Sequence, residues 1–136
     1  MYTVDDVMND SVYLVPGHAP VKFAALEMER LNVGMLIVLR DGKLEGMLTE
    51  RDIARKIVAH GLAPETTKVE EIMTKPVVCL RSGAPIPEAC DLMRTEHLKY
   101  LPVVNQDSEP LGILGMTDLI TFFGNNAELT ELFDGE

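Results

Sequence analysis

Two short segments of this chain hold the residues best suited to chemistry. Thr49-Glu50-Arg51-Asp52 follows an apolar stretch at 44–48 and opens a run with helical character to residue 60. The free N–H groups of a helix start, together with the Thr49 hydroxyl, can donate to a phosphate or another anion. Asp52 has two carboxylate oxygens and can accept from both hydroxyls of a vicinal diol. Gly46, just upstream, lets backbone come close to a ligand. Threonine and aspartate at this spacing are also a plain helix-capping pattern, and both readings can hold at once. Arg51 and Arg55 offer charge to an anion, or else pair with Glu50 on a solvated helix face. A second segment, Gly112-Ile113-Leu114-Gly115-Met116-Thr117-Asp118, repeats the pattern with Gly115 where the hydroxyl should stand. Asp118 can still take a diol, but the anion donor is gone unless Thr117 or backbone N–H groups replace it. One good site and one weak, altered or empty one are expected.

Other chemistry finds no support. His18, His60 and His97 fall in a turn, at a helix end and before a strand, with no ligand spacing, so no metal site is expected. Cys79 and Cys90 lack a C-x-x-C spacing, sit at apolar positions and read as small buried hydrophobes, which suits a reducing cytoplasm. There is no G-x-S-x-G elbow, P-loop or G-x-G-x-x-G. A small hydrolase using Asp52 or Asp118 as base would lack a nucleophile, so no enzyme and no catalytic cofactor are expected. Met28, Met35, Met47 and Met93 fall on core faces and read as packing.

The elements that position these residues come from an internal repeat. Val4-Asp5-Asp6-Val7-Met8 recurs as Val69-Glu70-Glu71-Ile72-Met73, 65 residues on. Pro20 matches Pro85, Met28 matches Met93 and Val38 matches Val103. One inserted turn residue makes the offset 66, and Gly46, Leu48 and Asp52 then match Gly112, Leu114 and Asp118. Each copy predicts a short helical turn, an extended apolar stretch (11–15; 76–80) and a Gly/Pro turn. An amphipathic helix with Pro20 or Pro85 at its start comes next. A hairpin follows (35–40 with 44–48; 101–104 with 111–114), the first across Asp41-Gly42, and a closing helix ends each copy (49–60; 117–123). The expected fold class is α+β, each copy β-α-β-β-α with a small sheet packed on helices, the two related by a pseudo-two-fold. The copies span 1–63 and 64–124, and 125–136 is an acidic tail.

This order of elements, twice, resembles the cystathionine β-synthase (CBS) domain, and two in tandem resemble a stand-alone Bateman module. Gly46 to Asp52 fits the family's G-h-x-S/T-x-x-D motif. Leu101-Pro102-Val103-Val104 fits its L-P-V-V strand, with Leu36-Ile37-Val38-Leu39 as partner, and Val7-Met8 and Ile72-Met73-Thr74 fit its D-V/I-M opening. The resemblance implies a regulatory sensor that binds an adenosine-containing ligand in the cleft between the repeats. AMP, ADP, ATP, S-adenosylmethionine and NAD(H) are the candidates, with Mg as a candidate companion ion. It implies that each site joins one repeat's aspartate to the other repeat's early strands. The first site is then Gly46, Thr49, Arg51 and Asp52 with Val78, Lys99, Tyr100 and Leu101, where Lys99 faces a phosphate and Tyr100 the purine. The second, doubtful site is Gly115, Thr117 and Asp118 with Tyr13, Gly34 and Met35. Ordinary aromatic packing explains Tyr13 and Tyr100 equally well. A homodimer and an unknown protein partner are further implications. The rival reading is a ligand-free pair serving as a dimerisation or interaction module.

Composition bounds the partners. With 136 residues, 46% hydrophobic and 25% charged, the chain can bury a core without metals or disulfides. A net charge of −10 disfavours nucleic acid and anionic lipid alike. The longest apolar run, 33–39, is far short of the roughly 20 residues a membrane span needs. The opening ten residues are acidic and lack an apolar segment, so no secretory signal is expected.

Overall fold

A computed structural model of the protein describes residues 2–125. The tail from 126 on lies outside the described residues. The chain forms two compact units. One is Tyr13–Val77, and the other joins the residues up to Val12 with those from Val78 onward.

In the Tyr13–Val77 unit, helix α1 (Val21–Leu31) precedes strands β1 (Met35–Arg40) and β2 (Lys43–Thr49). The strands pair antiparallel with Met35 opposite Thr49. Asp41 and Gly42 join them with φ of 53° and 77°, the double positive φ of a type I′ turn. Leu14 bridges Ile37 in parallel on one edge, and Thr74 bridges Met47 on the other. The extended stretch at 11–15 is thus a single bridge. Helix α2 (Glu50–Asp52) runs straight into a π-helical stretch, Ile53–Val58, and α3 is Val69–Ile72. Val21, Ala24 and Met28, at steps of three and four on α1, meet Leu36, Val38 and Leu48 of the sheet, with Ile57, Val69 and Ile72, in one core. Each such aliphatic side chain fully buried contributes about 1.5–3 kcal/mol.

The other unit follows the same plan. Strand β3 (Leu80–Arg81) runs parallel to β4 (Tyr100–Val104), which pairs antiparallel with β5 (Pro110–Gly115). Asn9 bridges Ile113 at the free edge of β5. Helices α4 (Ile86–Thr95) and α5 (Met116–Asn125) complete it, and Val4, Ile86, Ala89, Met93, Leu101, Val103, Leu114 and Leu119 form its core. Asn32 and His97, 65 residues apart, both take left-handed backbone after their helices, with φ of 55°. In both, the next residue's N–H closes on Met28 or Met93, a Schellman-type stop. His97 is therefore a helix terminator.

The packed units are cut differently from the sequence copies. The opening turn of the second copy, α3, donates from Val69 N to the Ala19 carbonyl and buries Val69 beside Val21. The opening turn of the first copy, a 3-10 turn at Val4–Asp6, packs in the other unit, where Val4 N donates to the Ala84 carbonyl. Each opening turn thus covers the hairpin of the other copy. Periodicity does not encode this exchange, because both copies share one pattern and either turn would fit either sheet.

Asp5 clasps the Ser82-Gly83 turn. Its carboxylate accepts from the Ser82 hydroxyl at 2.5 Å and from the Gly83 N–H at 2.7 Å. The Ser82 bond first, then the Gly83 bond, hold the Asp5 carboxyl below its ordinary value of 3.8 against the opposing effect of burial. A carboxyl lowered on folding stabilises the protein above its unfolded value, and that contribution fades as pH falls through the lower folded value. Ser82→Ala is expected to lower the melting temperature at neutral pH and to shrink the difference from wild type below pH 3.8. Thermal melts followed by circular dichroism between neutral pH and strong acid would check this. A gap between variant and wild type that widens in acid would contradict it.

Candidate functional site

Thr49 is the last residue of β2 and the N-cap of α2. Its backbone is extended, and its side chain and that of Asp52 cap each other. Asp52 N donates to Thr49 Oγ1 at 3.2 Å, and Thr49 N donates to Asp52 Oδ2 at 3.0 Å. Thr49 Oγ1 donates to the same Oδ2 at 3.2 Å. The other oxygen, Oδ1, accepts from Thr74 Oγ1 at 2.9 Å and lies 3.1 Å from Lys56 Nζ. Lys56 also donates to the Ile72 carbonyl at 2.8 Å. Asp52 is only 5% exposed, and its carboxylate accepts three hydrogen bonds and forms an ion pair with Lys56.

Asp118 stands differently. Its Oδ2 accepts from Gly115 N at 2.8 Å, the counterpart of the Thr49 N bond. Its Oδ1 takes no hydrogen bond from any described residue, and the residue is half-buried. Three sequence differences explain the contrast. Gly115 replaces Thr49, Phe122 stands at the position of Lys56, and Asn9 stands at that of Thr74. Asn9 spends its side-chain oxygen on Ser11 N at 2.9 Å. The sequence put the fuller site at Asp52 and doubted Asp118; the hydrogen bonding leaves Asp118 as the more open carboxylate.

The remaining site candidates divide by unit. The unit that holds Asp52 also holds Tyr13, whose carbonyl accepts from Ile37 N, Gly34, whose carbonyl accepts from Glu50 N, and Met35, paired with Thr49. Met35 is buried and Tyr13 packs on the core. Around Asp118 lie Lys99, whose carbonyl accepts from Met116 N, and Tyr100, paired with Gly115. A Cβ at Gly115 would sit 3.7 Å from Thr117 Oγ1 and 3.8 Å from Tyr100 Cδ1. Lys99 and Thr117 are exposed and Tyr100 half-buried. Leu101 is fully buried in its core, so its side chain packs, and Val78 is exposed. Arg51 and Arg55 are exposed and form no ion pair among the described residues, with Glu50 or any other.

Packing by itself requires glycine at Gly46 and Gly112. Met73 fills the space a Cβ at Gly46 would need, and Met8 with the Asn9 carbonyl fills that at Gly112. The opening-turn methionine of one copy thus packs on the hairpin glycine of the other. Sequence reasoning missed Lys56 and Thr74. Lys56 carries a signal, an acid–base pair at i,i+4 with Asp52. Thr74, 22 residues from Asp52, carries none.

A hollow of about 640 Å³ lies beside the β1–β2 turn, lined by residues including Arg40, Lys43 and Lys75. It sits at the opposite end of that hairpin from Thr49, so it is not part of this site. Burial pushes the thiols of Cys79 and Cys90 up, Cys90 with a smaller push from Asp91, and both are half-buried. Among the described residues, no group of three His, Cys, Asp or Glu is placed to hold a metal ion.

Two copies of one sheet-and-helix unit, each ending its hairpin on an aspartate-bearing helix start, define a tandem-repeat protein. The family model of the CBS domain matches residues 4–59 and again 69–125, and the chain belongs to that family. It is 34% identical over 119 residues to the CBS domain-containing protein YhcV of Bacillus subtilis, covering 88% of this chain and 84% of that protein. It resembles the crystal structure of the CBS domain NE2398 with a TM-score of 0.83 at 31% identity, covering 89% of this chain and 97% of that one. The CBS domain pair of MJ0100, solved with 5′-methylthioadenosine and S-adenosyl-L-methionine, has a TM-score of 0.83 at 24% identity over 92% of this chain and 98% of that one. That likeness concerns the fold. Two relatives from Arabidopsis thaliana are far longer, and the chain spans 18% and 21% of their lengths.

Proposed function

We propose that this CBS pair is a regulatory module that binds an adenosine-containing ligand, and that Asp118 takes the ligand's ribose diol. The observation that carries the reading is the half-buried Asp118 carboxylate at a strand-to-helix junction, with one oxygen unclaimed among the described residues. Gly115 supports it by leaving the space beside that carboxylate clear of a side chain. Exposed Lys99 and Thr117 supply donors for an anionic group, and Tyr100 supplies a face for a purine. Ribose is common to AMP, ADP, ATP, S-adenosylmethionine and NADH, so the carboxylate selects the class and the neighbouring donors select the member. Ligand binding acts on the module only by favouring one arrangement over another. The module has no catalytic role in this reading. It works as a homodimer in the cytoplasm, a setting that suits its two free cysteines.

Calorimetric titration of ligand-stripped protein with those five compounds tests the proposal. At least one is expected to bind saturably, and Asp118→Ala is expected to weaken it about a hundredfold, the loss of charged hydrogen bonds worth roughly 1.5–3 kcal/mol each. No heat with any of the five, from protein shown to be folded, would overturn the proposal. The ligand-free interaction module would then be the better reading.

A further inference from the structure

The two motif aspartates have parted roles, and the residues that part them are outside the motif. Asp52 is 5% exposed, yet its donors on Oδ1 come from the outer layer: Thr74 is exposed and Lys56 has 43% of its side chain exposed. They approach the same oxygen, at 2.9 Å and 3.1 Å, while Thr49 fills the other. Lys56 is anchored a second time, on the Ile72 carbonyl two residues before Thr74. A diol needs two open acceptor positions on a carboxylate, and three hydrogen bonds leave Asp52 about one, which faces the Lys56 ammonium. Desolvating a hydroxyl there, with no bond in return, is unfavourable. At Asp118 the equivalent positions hold Asn9, turned to Ser11, and Phe122, which has no donor.

We infer that Thr74 and Lys56 close the first copy's aspartate, so that the chain binds one diol-bearing ligand and not two. The inference rests on the proposed ligand role of Asp118 for its ligand count, but closure itself is independent of any ligand. The closing pair turns Asp52 into a structural tie between the start of α2 and the segment after α3.

Carbodiimide coupling of glycinamide, read by peptide mass spectrometry on the full chain, measures carboxylate access directly. In wild type Asp118 is expected to label and Asp52 to be protected at least tenfold. In Lys56→Met/Thr74→Val, Asp52 is expected to label at a rate near that of Asp118. Equal labelling of the two aspartates in wild type would overturn the inference, whether or not the double variant folds. So would continued protection of Asp52 in a folded double variant. In parallel, calorimetry with AMP, ADP, ATP, S-adenosylmethionine and NADH is expected to give one ligand per wild-type chain. The double variant should bind two, the second removed by adding Asp52→Asn. Two ligands on wild type, or one lost with Asp52→Asn and kept with Asp118→Ala, would also overturn it. No binding by any protein, with labelling as expected, would sink the proposed function and leave the closure supported.

Discussion

Asp52→Ala is expected to melt about ten degrees below wild type, while Asp118→Ala melts within a few degrees of it. Removing Asp52 strips the capping acceptor from Thr49 N and leaves Lys56 and the Thr74 hydroxyl without the oxygen they share. Loss of an N-terminal cap costs about 1 kcal/mol, and each hydrogen bond to a charge roughly 1.5–3 kcal/mol. Lys56 recovers part of its share from solvent and keeps the Ile72 carbonyl, so a total of about 3 kcal/mol is reasonable. For a chain of this size that corresponds to about ten degrees. Asp118→Ala removes one bond, from Gly115 N, at a junction already open to water, and costs about 1 kcal/mol. Differential scanning calorimetry of the two variants would read the difference. Equal shifts would mean that the Asp52 bonds add nothing net, and that the two copies have not diverged in this respect.

Alanine at either hairpin glycine is expected to destabilise the protein, more at Gly112 than at Gly46, with opposite rescue behaviour. At Gly112 an alanine Cβ would lie 2.7 Å from the Asn9 carbonyl oxygen and 2.7 Å from Met8 Sδ. That carbonyl accepts from Ile113 N at 2.8 Å and holds the opening segment to β5. Backbone cannot give way without breaking the bridge, so Gly112→Ala is expected to cost about 3 kcal/mol, the upper end for overpacking. At Gly46 the same Cβ would fall well inside contact with Met73 Sδ and 2.8 Å from its Cγ. Only a flexible side chain blocks it, so Gly46→Ala is expected to cost about 1–2 kcal/mol. Adding Met73→Ala should abolish that increment, so the double variant is no less stable than Met73→Ala alone. Adding Met8→Ala should leave the Gly112→Ala cost largely in place. Urea unfolding of both double-mutant cycles would measure the coupling. Rescue at Gly112 as complete as at Gly46 would show that Met8, and not the Asn9 backbone, is the obstacle.

Much of this protein is legible in its amino-acid sequence. The 65-residue offset set two copies with one order of elements. Asp41-Gly42 specified a tight turn because only residues that tolerate positive φ close a type I′ hairpin. The spacing of Val21, Ala24 and Met28 specified the buried face of α1 because a helix returns to the same side every three or four residues. Thr49 and Asp52 were legible as a cap because capping is local, its partners three residues apart. Three matters were decided by tertiary structure alone. The exchange of opening turns was one, since Val4 and Val69 suit either core equally by sequence. The reason for Gly46 and Gly112 was another, since the atoms that exclude a Cβ belong to Met73, Met8 and Asn9, far away along the chain. The third was which donors reach each motif aspartate. Hydrogen-bond capacity is finite, and Thr74 reaches Asp52 across 22 residues while Asn9 turns away from Asp118 to Ser11. A motif records the presence of a carboxylate; whether its oxygens are already taken depends on which distant donors the fold brings to them.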